Sequence, residues 1–501
     1  MADRPVRIRM YRQGFGDCFL LTFPCAEAAP RREFHMLIDC GVLSGVENAQ
    51  ARINAVVDDI AAVTGGILDL VVVTHEHWDH VSGFLLAEKF KEMRDLRIER
   101  VWLAWTEDPD NPTAQALIAE RQEKIKALQV AVQRINAGAL AEDGESIRQI
   151  LGFYGPQVEE EIERDPDCPD LSARGRGGGT TREALRYLTG LKDAEVHYCY
   201  PSRETPHELA GVEDVRVYIF GPPEDLTLLK MSDPTRKGKE TYGAASIRAE
   251  DSFFASVLPS NSGSLYGRIQ SQCYPFDEFY HISLEEAGTD GFFQKYYLSD
   301  SNSENAWRRI DNDWLSVTGG LALNLDSDTN NTSLALAIEL GAPGAGKVLL
   351  FPADAQVGNW LSWKGLTWSV DDGRGMPVAV TVESLLKRTV LYKVGHHGSH
   401  NATLRDQGLE LMMSEDLVAM LPVDRATAEK RRWNMPFPDL YARLLQKTRG
   451  RVLRLDTGLP TREQARSLTD LQWQAFVEST RVTDWYIEYC INLPPTTSKR
   501  H

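Results

Sequence analysis

Short apolar runs bounded by glycine, proline and acidic residues recur along the chain, and their spacing sets the expected architecture. Residues 6–10 alternate apolar and polar, Gly14-Phe15-Gly16-Asp17 supplies a turn, and 18–23 and 34–39 follow as β runs. Gly41, two residues after Asp39, suits a sharp backbone turn. Positions 48–63 carry apolar residues at helical spacing and stop at Gly65-Gly66. The run Ile67-Leu68-Asp69-Leu70-Val71-Val72-Val73 reads as one buried strand. Further strands are expected at 195–200, 214–220, 333–338, 348–351, 389–394, 452–456 and 485–493. Strands that interleave with helices, with polar residues where the apolar runs stop, predict an α/β fold with a site at strand ends.

Two stretches break this rhythm. Within 106–190, residues 113–137 are rich in Ala, Gln, Glu, Lys and Leu and predict a long helix, with a shorter one at 145–152. Residues 172–182 have four glycines, three arginines and no periodicity, the pattern of an exposed loop open to proteolysis. The second stretch, 227–318, holds Ser-, Asn- and Asp-rich pieces and ends in a short helical pattern at 307–315.

Composition narrows the classes. A chain of 501 residues, 42% hydrophobic and 25% charged, is long enough for one large core or two ordinary ones. No run approaches the roughly 18–20 apolar residues of a membrane span, so no membrane partner is expected. The first residues lack the apolar stretch of a secretory signal. Seven scattered cysteines without C-x-x-C spacing predict reduced thiols and a cytoplasmic setting. A formal charge of −17 argues against a broad phosphate-binding face, and the basic pieces at 236–239 and 430–432 read as solvated loops.

Six of the eleven histidines fall in two short clusters, Thr74-His75-Glu76-His77-Trp78-Asp79-His80 and Gly395-His396-His397-Gly398-Ser399-His400. Three imidazoles and a carboxylate within six residues at a strand end are the donor types that first-row metals take. His75 and His77 project to one side in extended backbone, and Asp79 and His80 follow in the turn. One or two divalent ions fit: one on His75 and His77, the other on Asp79 and His80. Asp354, also at a strand end, is the natural bridge, and His396 or His397 completes the set. A metal-activated water would be the nucleophile. Lys393, Ser399 and His400 are candidate phosphate contacts, with His400 equally readable as a surface loop residue. Trp78 is placed to line a pocket, whereas Trp360 and Trp363 read as packing.

Thr74–His80 resembles the signature of the metallo-β-lactamase superfamily. Gly14–Asp17, Leu37-Ile38-Asp39-Cys40-Gly41, Asn330-Asn331-Thr332-Ser333-Leu334-Ala335, Leu350-Phe351-Pro352-Ala353-Asp354-Ala355 and Lys393–Ser399 occur in the same order in one branch. That branch is similar to the soluble metallo-hydrolase domain of the DNA-uptake channel ComEC. The resemblance implies an αββα sandwich with two large insertions. Its first half is 1–105, with an insertion at 106–190 that is largely helical, a return to the core at 191–226 and a second insertion at 227–318. The second half of the fold is 319–460, and 461–501 is a C-terminal extension with a late strand. It implies His75, His77, Asp79, His80, Asp354 and His397 as metal ligands, with His397 preferred to His396. Many members carry a further histidine just before the strand expected at Ser333, where this chain has Asn330 and Asn331. An amide is a weaker zinc ligand than imidazole, which brings manganese or magnesium in beside zinc.

The function implied is a metal-dependent hydrolase, first of all a phosphodiesterase or nuclease, with Asp79 and His400 as candidate catalytic groups. A small ester, lactone or phosphate ester is the alternative substrate. In another class stands a regulated effector of a bacterial defence system, activated through an insertion.

Overall fold

The computed structural model describes residues 5–92, 96–136, 147–156, 179–201, 205–231, 284–298, 315–371 and 375–492. Its elements form a mixed α/β protein on two large sheets. The first sheet runs Thr480–Val482, Tyr486–Ile491, Val6–Tyr11, Cys18–Pro24, Glu33–Cys40, Leu70–Val72, Arg100–Ala104, Glu195–Cys199. The second runs Val452–Arg454, Val418–Leu421, Thr389–Lys393, Lys347–Phe351, Leu336–Leu340, Val215–Ile219, His207–Glu208. In each sheet one half is antiparallel and the other parallel. Among the described residues no helix is long and apolar enough to cross a membrane.

Period-2 alternation places the core. Val215, Val217 and Ile219 of the second sheet share one apolar cluster with Phe19, Leu21 and Phe23 of the first. The alternate residues Tyr218 and Leu20 enter two other clusters, one on each outer face. Ile53, Val56 and Ile60 of the Ala49–Thr64 helix cover the first sheet, and Leu385 and Leu440 belong to the cluster on the outer face of the second. Full burial of such a side chain contributes about 1.5–3 kcal/mol, so these layers and not the edge ion pairs hold the sheets together.

Most expected strands form within a residue or two of their predicted bounds, and three differences have local causes. The run 67–73 divides at Asp69, whose carboxylate accepts from the His35 backbone N–H at 2.7 Å and pairs with Arg31. Ile67–Leu68 therefore joins a two-stranded side sheet, and only Leu70–Val72 enters the large one. The strand expected at 333–338 starts at Leu336, because Leu334 N–H donates to the Thr74 carbonyl and Ser333 Oγ accepts from Asp354 N–H. The late strand Tyr486–Ile491 is no appendage: it pairs with Val6–Tyr11 from Val6↔Ile491 to Tyr11↔Tyr486.

The long helix runs Pro112–Asn136, and 147–151 is helical before a 3-10 turn at Gly152–Tyr154. The loop expected at 172–182 ends earlier than its composition suggests. Thr180 and Glu183 form a capping box that starts the Thr181–Thr189 helix, and Arg182 pairs with Glu107. Residues 172–178, the helical pattern at 307–314 and the basic piece at 236–239 lie outside the described residues. The Leu315–Asn331 helix, which sequence reading did not anticipate, brings Asp326 and Asn330 to the histidine clusters.

Candidate metal centre

The parallel strands of both sheets deliver the chemistry at their carboxyl ends. Leu70–Val72 leads into Thr74–His80, Lys347–Phe351 into Asp354, and Thr389–Lys393 into His396-His397. Thr74 is anchored first: its N–H and its hydroxyl donate to the two oxygens of Asp39 at 2.8 and 2.6 Å. His77 then caps the one-turn helix Trp78–Val81, which carries Asp79 and His80. Gly41 permits this packing. A Cβ on it would lie 2.1 Å from the Asp79 carbonyl carbon, so close approach rather than a turn requires glycine there. Asp39, Ala353, His396 and His397 have φ of 55°, 53°, 43° and 50°. Left-handed backbone at four non-glycine residues around one cluster is strain of the kind functional sites retain.

Each of four imidazoles turns one nitrogen inward and fixes the other outside. His80 Nδ1 lies 2.7 Å from Asp39 Oδ2, and its Nε2 lies 3.2 Å from Asp354 Oδ2. His397 Nδ1 lies 2.7 Å from the Pro422 carbonyl oxygen, and its Nε2 3.0 Å from Asp79 Oδ2 and 3.6 Å from Asp354 Oδ2. His75 Nδ1 is 3.1 Å from the Thr74 hydroxyl, and its Nε2 faces His77 Nδ1 at 3.1 Å. His77 Nε2 is 3.4 Å from the Tyr154 hydroxyl. Such outer partners fix the tautomer and leave the inner lone pair free for a metal. The donor atoms of Asp17, His80 and His397, and those of His75, His80 and Asp354, lie within 4.8 Å of one another.

The charges point the same way. Asp17, Asp39, Asp79 and Asp354 are at most 2% exposed, and their balancing groups are Lys393, His80 and His397. Burial opposes ionisation of Asp354, but Lys393, His80 and His397 outweigh it and hold the carboxyl well below its ordinary range. Asp79 is held low against burial by the His80 charge and the His397 hydrogen bond. His80 and His397 are pushed up despite burial, chiefly by Asp354. Burial pushes His77 down to about 3 and His396 down to about 4, so both are neutral donors at physiological pH. Burial, with Asp79 and Asp354 close by, lifts Asp326 to about 8.

The cluster also holds buried oxygens without hydrogen-bond partners: Asp17 Oδ1, Asp79 Oδ1, Asp326 Oδ1, Asn330 Oδ1 and Gln356 Oε1. Buried acceptors are ordinarily satisfied. Together, acceptor-only atoms, neutral imidazoles and surplus buried carboxylate fit a divalent cation, and these buried His and Asp groups can hold one.

The structure thus brings His75, His77, Asp79, His80, Asp354 and His397 into one cluster. It separates the adjacent histidines at the second motif. His396 gives its backbone N–H to Asp354 Oδ1 at 3.1 Å, while its ring lies between the amide nitrogens of Asn330 and Gln356, 3.5 Å from each. His400 is not brought into either group of converging donors; half-buried, its ring lies against Phe437. Lys393 is no free phosphate contact, because its buried ammonium pairs with Asp17 and Asp354 and donates to the Ala353 carbonyl. Ser399 is buried and donates to Asn401. Trp78 is 2% exposed and belongs to the core rather than to a pocket wall. Trp360 and Trp363 pack on each other with ring centroids 4.0 Å apart.

Three groups escaped the sequence reading as site residues. In the sequence, Asp17 reads only as the last residue of the Gly14–Asp17 turn. Tyr154 and its neighbour Phe153, whose ring lies 5.4 Å from His77, belong to the first irregular stretch. Asp326 sits on the unanticipated helix, 3.7 Å from His77 Nε2. Glu76, inside the metal motif, points away from the cluster to Arg121 and Thr181, so the 106–190 segment grips the motif from behind.

No protein-family model matches the chain, and no curated protein matches it.

Proposed function

We propose that the chain is a metal-dependent hydrolase of the metallo-β-lactamase superfamily that cleaves phosphodiester bonds, nucleic acid first among its substrates. The observation that carries the reading is the convergence of His75, His77, Asp79, His80, Asp354 and His397, from three separated segments, on one buried set of inward donors. The apolar layer between two sheets, with further clusters on both outer faces, supports an αββα arrangement. The order of motifs along the chain supports the ComEC-like branch.

A divalent cation, zinc or manganese, would be held by His75, His77, Asp79, His80, Asp354 and His397 and would supply Lewis acidity there. The protein's own groups do the rest. Asp39 and the Pro422 carbonyl lock His80 and His397 with Nε2 inward. Lys393 fixes Asp354 and balances its charge. Asp79 keeps Oδ1 free, where it can accept a hydrogen bond from a water and orient it.

The test is incubation of purified protein with labelled single- and double-stranded DNA and with bis-p-nitrophenyl phosphate, in Mn²⁺ or Zn²⁺. Metal-dependent cleavage that His77→Ala reduces by about 10³-fold or more is the expected result. Equal cleavage by His77→Ala removes the reading. Hydrolysis of chromogenic esters or lactones with no phosphodiester cleavage moves the substrate class and leaves the metal centre in place.

A further inference from the structure

Glu76 stands between two of the proposed metal ligands in sequence and turns its side chain away from both. The His77 N–H donates to the His75 carbonyl at 3.1 Å, which closes a three-residue turn with Glu76 at its apex. Both Glu76 oxygens are taken, Oε2 by Arg121 and Oε1 by the Thr181 hydroxyl at 3.1 Å. A movement of that apex therefore carries His75 and His77 with it.

Arg121, on the Pro112–Asn136 helix, is the centre of this contact. Its side chain is 6% exposed, and one nitrogen pairs with both Glu76 and, at 3.2 Å, Glu107. Glu107 ends the 3-10 turn Trp105–Glu107, directly after Arg100–Ala104, the parallel neighbour of the strand that leads into the motif. Arg182 closes the group, 2.7 Å from Glu107 and 3.6 Å from Glu76. Two carboxylates and two guanidiniums thus balance one another behind the metal motif. Burying such a set costs desolvation that apolar side chains of similar volume would avoid, so stability alone does not call for it. What the ion pairs add is direction, because a guanidinium fixes a carboxylate at a set place and angle. The same segment touches this pair of ligands again through Tyr154, whose hydroxyl lies 3.4 Å from His77 Nε2.

We propose that Arg121 is a positioning residue for the metal centre: through Glu76 it holds the His75–Glu76–His77 turn so that the inner nitrogens of both imidazoles converge. The inference rests on the metal-centre reading above and deepens it, since it makes the 106–190 segment part of the centre's geometry rather than an appendage.

The experiment compares the wild type with Glu76→Gln, Arg121→Met and the double variant. It reads Zn²⁺ and Mn²⁺ affinity by titration of the metal-free protein, the visible absorption of the Co²⁺-loaded protein, and the metal-free melting temperature. Arg121→Met leaves the buried Glu76 carboxylate without its closest countercharge, so it should melt lower and bind metal about tenfold more weakly or worse. The double variant removes both charges. It should recover most of the lost melting temperature yet keep the weakened affinity and an altered Co²⁺ spectrum. Glu76→Gln, in which Arg121 keeps Glu107, should melt near the wild type and also bind metal about tenfold more weakly. A double variant that regains wild-type affinity and spectrum along with its melting temperature overturns the proposal, because the network would then only balance charge. So does a Glu76→Gln protein with wild-type affinity and spectrum. A wild type that binds these ions and cleaves no ester removes the hydrolase reading, while this one still stands or falls on the variants' affinities. A wild type that binds no divalent ion removes both.

Discussion

The two sides of the histidine cluster solve the same problem differently. Around His80 and His397, each carboxylate has a countercharge: Lys393 bridges Asp17 and Asp354, and Asp79 meets His397. Around His75, His77 and His396, the imidazoles are neutral, Asp326 is held near 8, and amide oxygens lack partners. The first side carries its own countercharges, and the second does not. The difference teaches that one buried site can combine a half compensated by its own ion pairs with a half built from neutral imidazoles and a carboxyl group raised by burial.

The adjacent histidines give the sharpest way to break this comparison. His397→Ala removes an inward nitrogen from the compensated side and should lower metal-dependent hydrolysis by about 10⁴-fold, whereas His396→Ala should cost no more than about tenfold. Steady-state kinetics at saturating Mn²⁺ measure both, and the reverse ranking would exchange the roles of the two residues. The asparagine pair comes next. Asn331→Ala strands buried backbone donors and acceptors and should destabilise the metal-free protein by about 2–4 kcal/mol in urea melts, while Asn330→Ala should stay within about 1 kcal/mol. Equal losses would mean that both asparagines belong to the scaffold.

The smallest effect is in pH. His80 and His397 are held above the ordinary histidine value and Asp326 near 8, so above about pH 6.5 the folded metal-free protein binds more protons than the unfolded chain. Its stability therefore falls as pH rises from 6.5 to 8. His77 and His396, near 3 and 4, act in the opposite sense: the unfolded chain binds their protons first, so stability also falls as pH drops below 6.5. The metal-free melting temperature should peak near pH 6.5 and fall by a few degrees on either side. The increment given by Mn²⁺ should grow with pH, because the ion displaces the protons on His80 and His397. A flat metal-free profile from pH 6 to 8 would contradict the charge assignment on the compensated side.

The legible part of this molecule is what periodicity and clustered donors can carry. Apolar runs located the strands because half-buried sheets impose a period of two, and H-x-H-x-D-H stood out because no packing role needs it. What escaped was carried by single polar residues in unremarkable surroundings. Asp17 reads as a turn carboxylate until folding sets it beside His80 and His397. Asp326 lies on a helix of weak amphipathicity whose apolar face is hard to find. Tyr154 follows a segment whose composition suggests a peripheral insertion, yet its hydroxyl reaches His77. Lys393 looked available because sequence gives a charge and a strand end but not the two carboxylates that enclose it.

The pairing of Val6–Tyr11 with Tyr486–Ile491 has a consequence for how the molecule is made. Arg9 and Glu488, 479 positions apart, meet in one buried ion pair, and Arg9 also reaches Asp59 and lies over the Tyr486 ring. Closure of the first sheet thus waits on the last strand described, and until Tyr486–Ile491 is available Val6–Tyr11 is a bare edge open to pairing with other chains. The metal motif hangs from that same sheet. During synthesis, assembly of the sheet that carries the motif therefore waits until Tyr486–Ile491 has emerged, long after the motif itself.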